Sequence, residues 1–231
     1  MKTIGMLGGM SWESTTSYYK AINQGIKAKL GGFHSAKIAL YSVDFAEIET
    51  LQHQGDWQQT AEILKDAARS VEAGGAGFLM ICTNTMHKVA PEIEACVSIP
   101  LLHIADATAE QLQADGVRRV GLLGTAFTME QEFYKGRLSE NFGIEVIVPD
   151  SEQRKIVHKV IYSELCQGRI NHHSREQYLD IIEQLQQQGA EAIILGCTEI
   201  ALLVQQQHTA VPLYDTTEIH AAAAVALALQ K

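Results

Sequence analysis

The chain lacks the features that mark several classes of protein. Its apolar runs are all shorter than a membrane-spanning helix, and the first residues lead into an apolar stretch without a charged leader and cleavage site. Only 4 of the 231 residues are proline and 46% are hydrophobic, as is typical of globular proteins. We therefore expect a soluble cytoplasmic protein of one large or two small domains, without membrane contact.

Positive charge and closely spaced cysteines are also scarce. The chain has 18 basic and 27 acidic residues and a net charge of −9, and it shows no basic stripe that could bind nucleic acid. The adjacent His172 and His173 are interpreted as a solvated turn rather than a metal site. Neither a disulfide framework nor a zinc knuckle is indicated by the wide spacing of Cys82, Cys96, Cys166 and Cys197.

The segment 192–199, AIILGCTE, carries the first catalytic candidate. Its apolar run predicts a strand buried in a parallel sheet, and ligands of such sheets bind beyond the carboxyl ends of the strands, where Cys197 stands. We expect Thr198 to cap a helix that starts near Glu199. The field of that helix would lower the pKa of the Cys197 thiol and favour the thiolate. An inert buried cysteine is the alternative interpretation.

The same pattern occurs in both halves of the chain. The segment 77–87, GFLMICTNTMH, is another apolar run that ends at small polar residues, and residues 4–11 resemble residues 120–127. The offset is 116 residues from Gly5 to Gly121 and 114 from Thr83 to Cys197. Repeats this long indicate two similar α/β lobes rather than a solenoid. Facing lobes would suit a reaction that needs one group on each face of a planar intermediate.

Strands that alternate with helices predict an α/β fold of mostly parallel sheets flanked by helices. The first lobe is expected to comprise residues 1–98 plus 210–231, and the second residues 99–209. The last helix should pack back on the first lobe. Helices are predicted at 12–29, 57–73, 106–114, 128–141, 151–167, 175–188 and from about 216, and strands at 3–7, 37–43, 119–123, 145–148, 211–214 and in the two apolar runs above.

The glycine-rich turn at 8–11 follows the first strand. It lacks both the Rossmann glycine spacing and the lysine–serine pair of a P-loop, so we do not expect a nucleotide there. Its backbone amides are better suited to bind a carboxylate.

Three blocks resemble the aspartate/glutamate racemase family, which needs no pyridoxal phosphate: GGMSWEST at 8–15, NTMH at 84–87 and LGCTEI at 195–200. The resemblance extends along nearly the whole chain. It is closer to the aspartate racemase branch, because glutamate racemases carry Cys-Thr-His where this chain has Cys-Thr-Glu. It implies two pseudo-symmetric lobes with the active site in the cleft between them, no cofactor, a homodimer, and L-aspartate or L-glutamate as the small-molecule substrate.

The family mechanism assigns roles to the two strand ends. One cysteine removes the α-proton from one face of the amino acid, and a second delivers a proton to the other face. The resemblance assigns removal of the α-proton from the L-isomer to Cys197. Thr83 stands where the family's second cysteine is expected. Cys82, one residue earlier, should point to the opposite face of the strand unless a bulge turns it. Because a hydroxyl donates a proton far more readily than it removes one, Thr83 is predicted to be the acid, and overall activity to be low.

The resemblance also indicates the residues that bind substrate. Met10 and Ser11 form one wall of the predicted site, and His87 should cap or pack near it rather than transfer protons. Candidates for the distal carboxylate come from polarity and position in the chain instead: Gln52 past the second strand, and Arg154 and Lys155 at the start of the helix after Pro149. The α-carboxylate and α-amine are expected to contact backbone amides and hydroxyls of Asn84, Thr85, Thr198 and Glu199.

Two other functions stay open. A single working cysteine on this scaffold also occurs in a malonate-type decarboxylase and a maleate isomerase, although the turn at residues 9–13 is racemase-like. The non-enzymatic alternative is an amino-acid-binding regulator. Loss of α-deuterium from L-aspartate distinguishes a racemase from all three.

Overall fold

A computed structural model describes residues 1–230 and divides them into two compact units. The first unit comprises Met1–Ile104 and the segment that starts at His220, and the second comprises Ala105–Ile219. Each unit contains a sheet in which all assigned pairings are parallel, flanked by helices. The α/β class with mostly parallel sheets is therefore as predicted.

The first sheet has the strand order β2-β1-β3. Side chains alternate between its faces, so Leu79 and Ile81 enter one apolar cluster while Phe78 and Met80 enter another. The elements up to the end of this unit's first segment are β1 (Ile4–Gly8), α1 (Trp12–Leu30), β2 (Ile38–Ser42), α2 (Phe45–Gln54), α3 (Trp57–Ala73), β3 (Phe78–Ile81), a 3₁₀ turn (Thr85–Val89) and α4 (Ala90–Glu94).

The second sheet has the strand order β5-β4-β6-β7. Its central strand β6 is buried along its whole length, as expected of a strand covered on both faces. The remaining elements are α5 (Ile104–Ala114), β4 (Arg119–Gly124), α6 (Ala126–Glu130), α7 (Glu132–Phe142), β5 (Glu145–Ile147), α8 (Ser151–Ser163), a 3₁₀ turn (Leu165–Gln167), α9 (His172–Gln187), β6 (Ala192–Gly196), α10 (Ile200–Leu203), a 3₁₀ turn (Gln206–His208), β7 (Leu213–Asp215) and α11 (Thr216–Leu229).

Both points at which the chain crosses from one unit to the other lie further along the sequence than predicted. Leu101 forms a parallel bridge with Leu79, which attaches residues 99–104 to the first sheet. Strand β7 pairs with β6, so residues 210–219 belong to the second unit. From His220 onward α11 lies in the first unit, where Ala221, Ala224 and Ala228 pack against the sheet, as predicted for the last helix.

Two predicted helices are interrupted. The helix expected at 128–141 is split into α6 and α7 by Gln131, whose backbone is extended. The helix expected at 151–167 ends at Ser163, because Glu164 leaves helical geometry. Across residues 1–230, no helix combines the length and apolar character needed to cross a bilayer.

Candidate active site

The turn after β1 is shaped by Gly9, whose φ of +90° lies in the left-handed region. A side chain there would collide with the Val43 carbonyl oxygen. The Gly9 amide donates to Thr15 Oγ1 at 2.8 Å, and Ser11 Oγ accepts from the Ser14 amide at 3.3 Å, capping α1. The Met10 side chain packs in the apolar cluster. The Gly9 amide and the Ser11 hydroxyl thus stabilise the turn itself, and contacts of Met10 and Ser11 with substrate stay a prediction.

At the end of β3 the two neighbours Cys82 and Thr83 have different surroundings. Cys82 is fully buried in the apolar cluster of Phe78 and Met80, and burial raises the pKa of its thiol. Its amide donates to the Leu7 carbonyl at 2.9 Å, so the ladder continues through it without a bulge. Thr83 is partly exposed. The side chain at position 83 is therefore the one that leaves the core.

The strand registers place Thr83 and Cys197 at matching positions of the two sheets. In the first sheet Gly5 lies opposite Leu79, and in the second Gly121 lies opposite Ile193. Thr83 lies four residues after Leu79, and Cys197 lies four residues after Ile193. The internal repeat seen in the sequence is thus a repeat of sheet register.

The end of β6 carries a compact polar group. The Cys197 thiol donates to Glu199 Oε2 at 3.0 Å, and the Thr198 hydroxyl donates to the same oxygen at 2.6 Å. Glu199 is only 4% exposed. A carboxylate that accepts two such bonds is held in one orientation.

Two expectations about this group are wrong. Thr198 does not cap a helix, because its hydroxyl serves Glu199 and α10 begins only at Ile200. The pKa of the Cys197 thiol is raised well above its ordinary value rather than lowered. Burial is the main cause, and the negative charge of Glu199 adds to it. A helix of four residues does not outweigh these effects.

The residues after Thr83 are buried. Asn84 and Thr85 are 3% and 5% exposed and open the 3₁₀ turn Thr85–Val89. His87 is also buried, with Nδ1 at 2.8 Å from the Thr83 carbonyl and Nε2 accepting from the Ile104 amide at 3.2 Å. It thereby accepts from the first residue of α5. The contacts of its ring with the rings of His103 and His220 were not predicted from the sequence.

The three candidates for binding the distal carboxylate differ in exposure and in the partners that their side chains already have. Arg154 already donates to Glu130 at 2.9 Å and to the Pro149 carbonyl at 2.8 Å. Lys155 is 70% exposed and pairs with Glu152, as a solvated helix face would. Gln52 is 3% exposed, and its Oε1 finds no hydrogen-bond partner among residues 1–230. A buried amide oxygen without a donor is costly, and it can accept from an N–H or O–H of a ligand; a carboxylate would instead need the Gln52 Nε2 as its donor.

The described part of the chain contains no cluster of His, Cys, Asp and Glu with the arrangement of a metal site. His172 and His173 open α9 and are about three quarters exposed, with Glu176 as their ionic neighbour.

Comparison with known proteins gives consistent matches along the chain. The family model for Asp/Glu/Hydantoin racemase matches residues 7–224. A candidate Asp/Glu racemase from Yersinia pestis is 58% identical, with a TM-score of 0.94 and complete coverage of both chains. An aspartate racemase homologue from Pyrococcus horikoshii is 35% identical, with a TM-score of 0.87 and complete coverage of both.

More distant proteins also match this chain. The broad specificity amino-acid racemase RacX of Bacillus subtilis is 24% identical over 219 residues, which are 93% of this chain and 92% of RacX. Arylmalonate decarboxylase is 14% identical with a TM-score of 0.54, covering 99% of this chain and 94% of the decarboxylase. A likeness this distant concerns the fold alone.

Proposed function

The chain belongs to the Asp/Glu/hydantoin racemase family, and on that premise we propose that it racemises acidic amino acids, L-aspartate or L-glutamate, without a cofactor. Racemases are isomerases, and the chain is an enzyme of this class. The observation that carries the proposal is the matched register of Thr83 and Cys197, which gives each sheet one proton-transfer group at the same strand position.

Cys197 is the proposed base toward the L-isomer. Because its resting thiol is neutral, it must first lose a proton, and Glu199 Oε2 is in contact to accept it. The S–H bond breaks, an O–H bond forms, and the negative charge moves from carboxylate to sulfur, so the net charge of the pair does not change. The ammonium group of a bound amino acid would stabilise that thiolate.

The thiolate then takes the α-proton, leaving the electron pair on Cα and its carboxylate. Thr83 donates its hydroxyl proton to the opposite face of Cα, and the resulting alkoxide recovers a proton from water while Glu199 releases one. Thr83 is a poor base for the reverse reaction. Since the equilibrium constant of a racemisation is one, kcat/KM must nevertheless be equal in the two directions. The expected consequence is a low kcat/KM in both directions.

Gln52 is the proposed partner of the distal carboxylate. It lies four residues after Ile48 on α2 and therefore shares the buried face of that helix, where its Oε1 has no donor. A carboxylate would accept from its Nε2, which is the donor of this side chain. The proposed α-carboxylate and α-amine contacts are Asn84, Thr85, Thr198 and Glu199, with Met10 and Ser11 beside them. A racemase of wider specificity is the second candidate, because Gln52 is neutral and Arg154 is engaged with Glu130.

Substrate class is tested by incubating the protein with L-aspartate, L-glutamate and L-alanine in D₂O and following α-deuterium incorporation and chiral conversion together. We expect both signals for an acidic substrate, and a weaker preference for it over L-alanine in Gln52→Leu than in Gln52→Asn. Equal rates on L-alanine would favour the wider specificity. Affinity without exchange, unaffected by Cys197→Ala, would identify a binding protein, and a decarboxylase or maleate isomerase would exchange no α-proton.

The homodimer implied by the resemblance and the cytoplasmic location expected from the sequence are likewise proposals. Light scattering of the purified protein tests the first.

A further inference from the structure

His87 connects two backbone groups of the first unit. Its Nε2 accepts from the Ile104 amide, a group that can only donate, so Nε2 carries no proton. The neutral ring therefore carries its proton on Nδ1 and donates it to the Thr83 carbonyl at 2.8 Å. Both ring nitrogens are fully used, and both partners are backbone.

The surroundings of His87 keep it neutral. It is 2% exposed, and its ring lies 4.4 Å from that of His103 and 6.0 Å from that of His220. Burial and these two histidines lower the pKa of His87 well below its ordinary value. A ring that stays neutral at physiological pH keeps the same donor on Nδ1 and the same acceptor on Nε2.

The bond to Thr83 falls at the point where the strand ladder stops. Cys82 is the last residue whose amide is bound by a neighbouring strand, through Leu7. From there on, the peptide that joins Thr83 to Asn84 is fixed through the Thr83 carbonyl by His87. This peptide is trans and planar, so orienting its carbonyl also orients the Asn84 N–H in the opposite direction.

From these contacts we infer that His87 is a positioning residue of the racemisation, which holds the Thr83 hydroxyl in line with Cα through the Thr83 backbone. The inference rests on the proposed function. His87 itself moves no proton. A proton donor displaced by about 1 Å loses much of its effect, so a loosened Thr83 should fail in the step it catalyses while Cys197 continues to remove the α-proton.

The side chains of asparagine and glutamine separate the two bonds of His87. In His87→Asn the amide nitrogen can replace Nδ1 and donate to the Thr83 carbonyl, whereas the Ile104 amide loses its acceptor. In His87→Gln the amide oxygen can replace Nε2 and accept from Ile104, whereas the Thr83 carbonyl loses its donor. Each variant leaves one backbone group unsatisfied, so both should unfold at a similarly lowered temperature.

The diagnostic measurement is the ratio of α-deuterium incorporation to inversion for the L-substrate in D₂O. When Thr83 is misplaced, the Cys197 thiol exchanges the hydrogen that it took from Cα for a deuteron of D₂O and returns that deuteron to the same face, so exchange occurs without inversion. We expect the ratio to rise about ten-fold in His87→Gln and less than about three-fold in His87→Asn, in line with the range of general acid catalysis. In a Thr83→Val background, His87→Gln should change the ratio no further.

His220→Gln is the matched control within the same cluster. His220 accepts from Tyr18 and donates to the Leu102 carbonyl, without contact to Thr83, so its variant should lose stability and keep the wild-type ratio. Equal ratios in the two His87 variants, or a larger ratio in His87→Asn, would overturn the inference. A wild-type protein that does not invert the substrate at all would instead contradict the proposed function.

Discussion

The ends of β3 and β6 have the same place in their sheets but different proton chemistry. Thr83 stands next to a neutral histidine that contacts only its backbone, whereas Cys197 stands next to a carboxylate that contacts its thiol directly. A repeated backbone therefore does not repeat a reaction. The repeat provides two equivalent positions, which differ in the residue type that occupies them and in the group that contacts it.

The largest expected effect comes from removing the thiol. Cys197→Ser keeps a donor to Glu199 but replaces the thiol with a group that is far harder to deprotonate, so kcat should fall by about 10³-fold. Chiral chromatography of product measures this loss. Cys96→Ser, which changes a cysteine of the first unit, is the control and should retain activity. Retained activity in Cys197→Ser would remove the basis of the comparison.

Acid should affect the first unit more than the second. Burial lowers the pKa of His220 to about 4, so the unfolded chain binds its proton first as pH falls. The contribution of a neutral His220 is fully present above about pH 6.5 and should decline by about 3 kcal/mol toward pH 4. In the second unit burial raises the pKa of Asp215, and a folded state that binds the proton more tightly gains stability on acidification.

The two tryptophans, Trp12 and Trp57, both lie in the first unit and report its unfolding. Their fluorescence during urea titrations at pH 7 and pH 4.5 should show the loss of stability, with a shallower pH dependence in His220→Gln. The same pH dependence in both proteins would show that this histidine does not contribute.

Replacing the carboxylate next to the thiol should have the next largest effect. Glu199→Gln removes the proposed proton acceptor, so kcat should fall by about 10²-fold. The same change removes a negative charge that raises the pKa of Cys197, so the midpoint of thiol alkylation should move to lower pH. Peptide-level mass spectrometry resolves Cys197 from buried Cys82. An easier alkylation with unchanged kcat would show that Glu199 is not the acceptor.

The smallest expected effect comes from a substitution at the end of β3, in the first sheet. Thr83→Cys supplies the thiol expected from the family and should raise kcat/KM about ten-fold from both isomers, because a thiol is the better base. Rates from pure D- and L-substrate measure it. Cys82→Ala is the matched change on the opposite face and should retain activity. A slower Thr83→Cys together with an inactive Cys82→Ala would identify Cys82 as the acid.

Local patterns were sufficient for much of the fold. Helix α3 has the predicted bounds, because Asp56 caps its start and Gly74 follows its end. The face of Cys82 followed from the two-residue period of a strand. The helix break at Gln131 was not predicted, because no glycine or proline stands there. The histidine cluster joins three distant segments, and the thiol–carboxylate contact depends on rotamers, so neither follows from spacing along the chain.

Helix α11 has a consequence for the way in which the first unit folds. The apolar cluster beneath α1 and β1 includes Ala221, Ala224 and Ala228, and the Lys2 amide bonds to the Ala228 carbonyl. Completing this cluster therefore requires contacts between segments that lie far apart in the sequence, which slows folding, whereas the second unit is the continuous segment Ala105–Ile219.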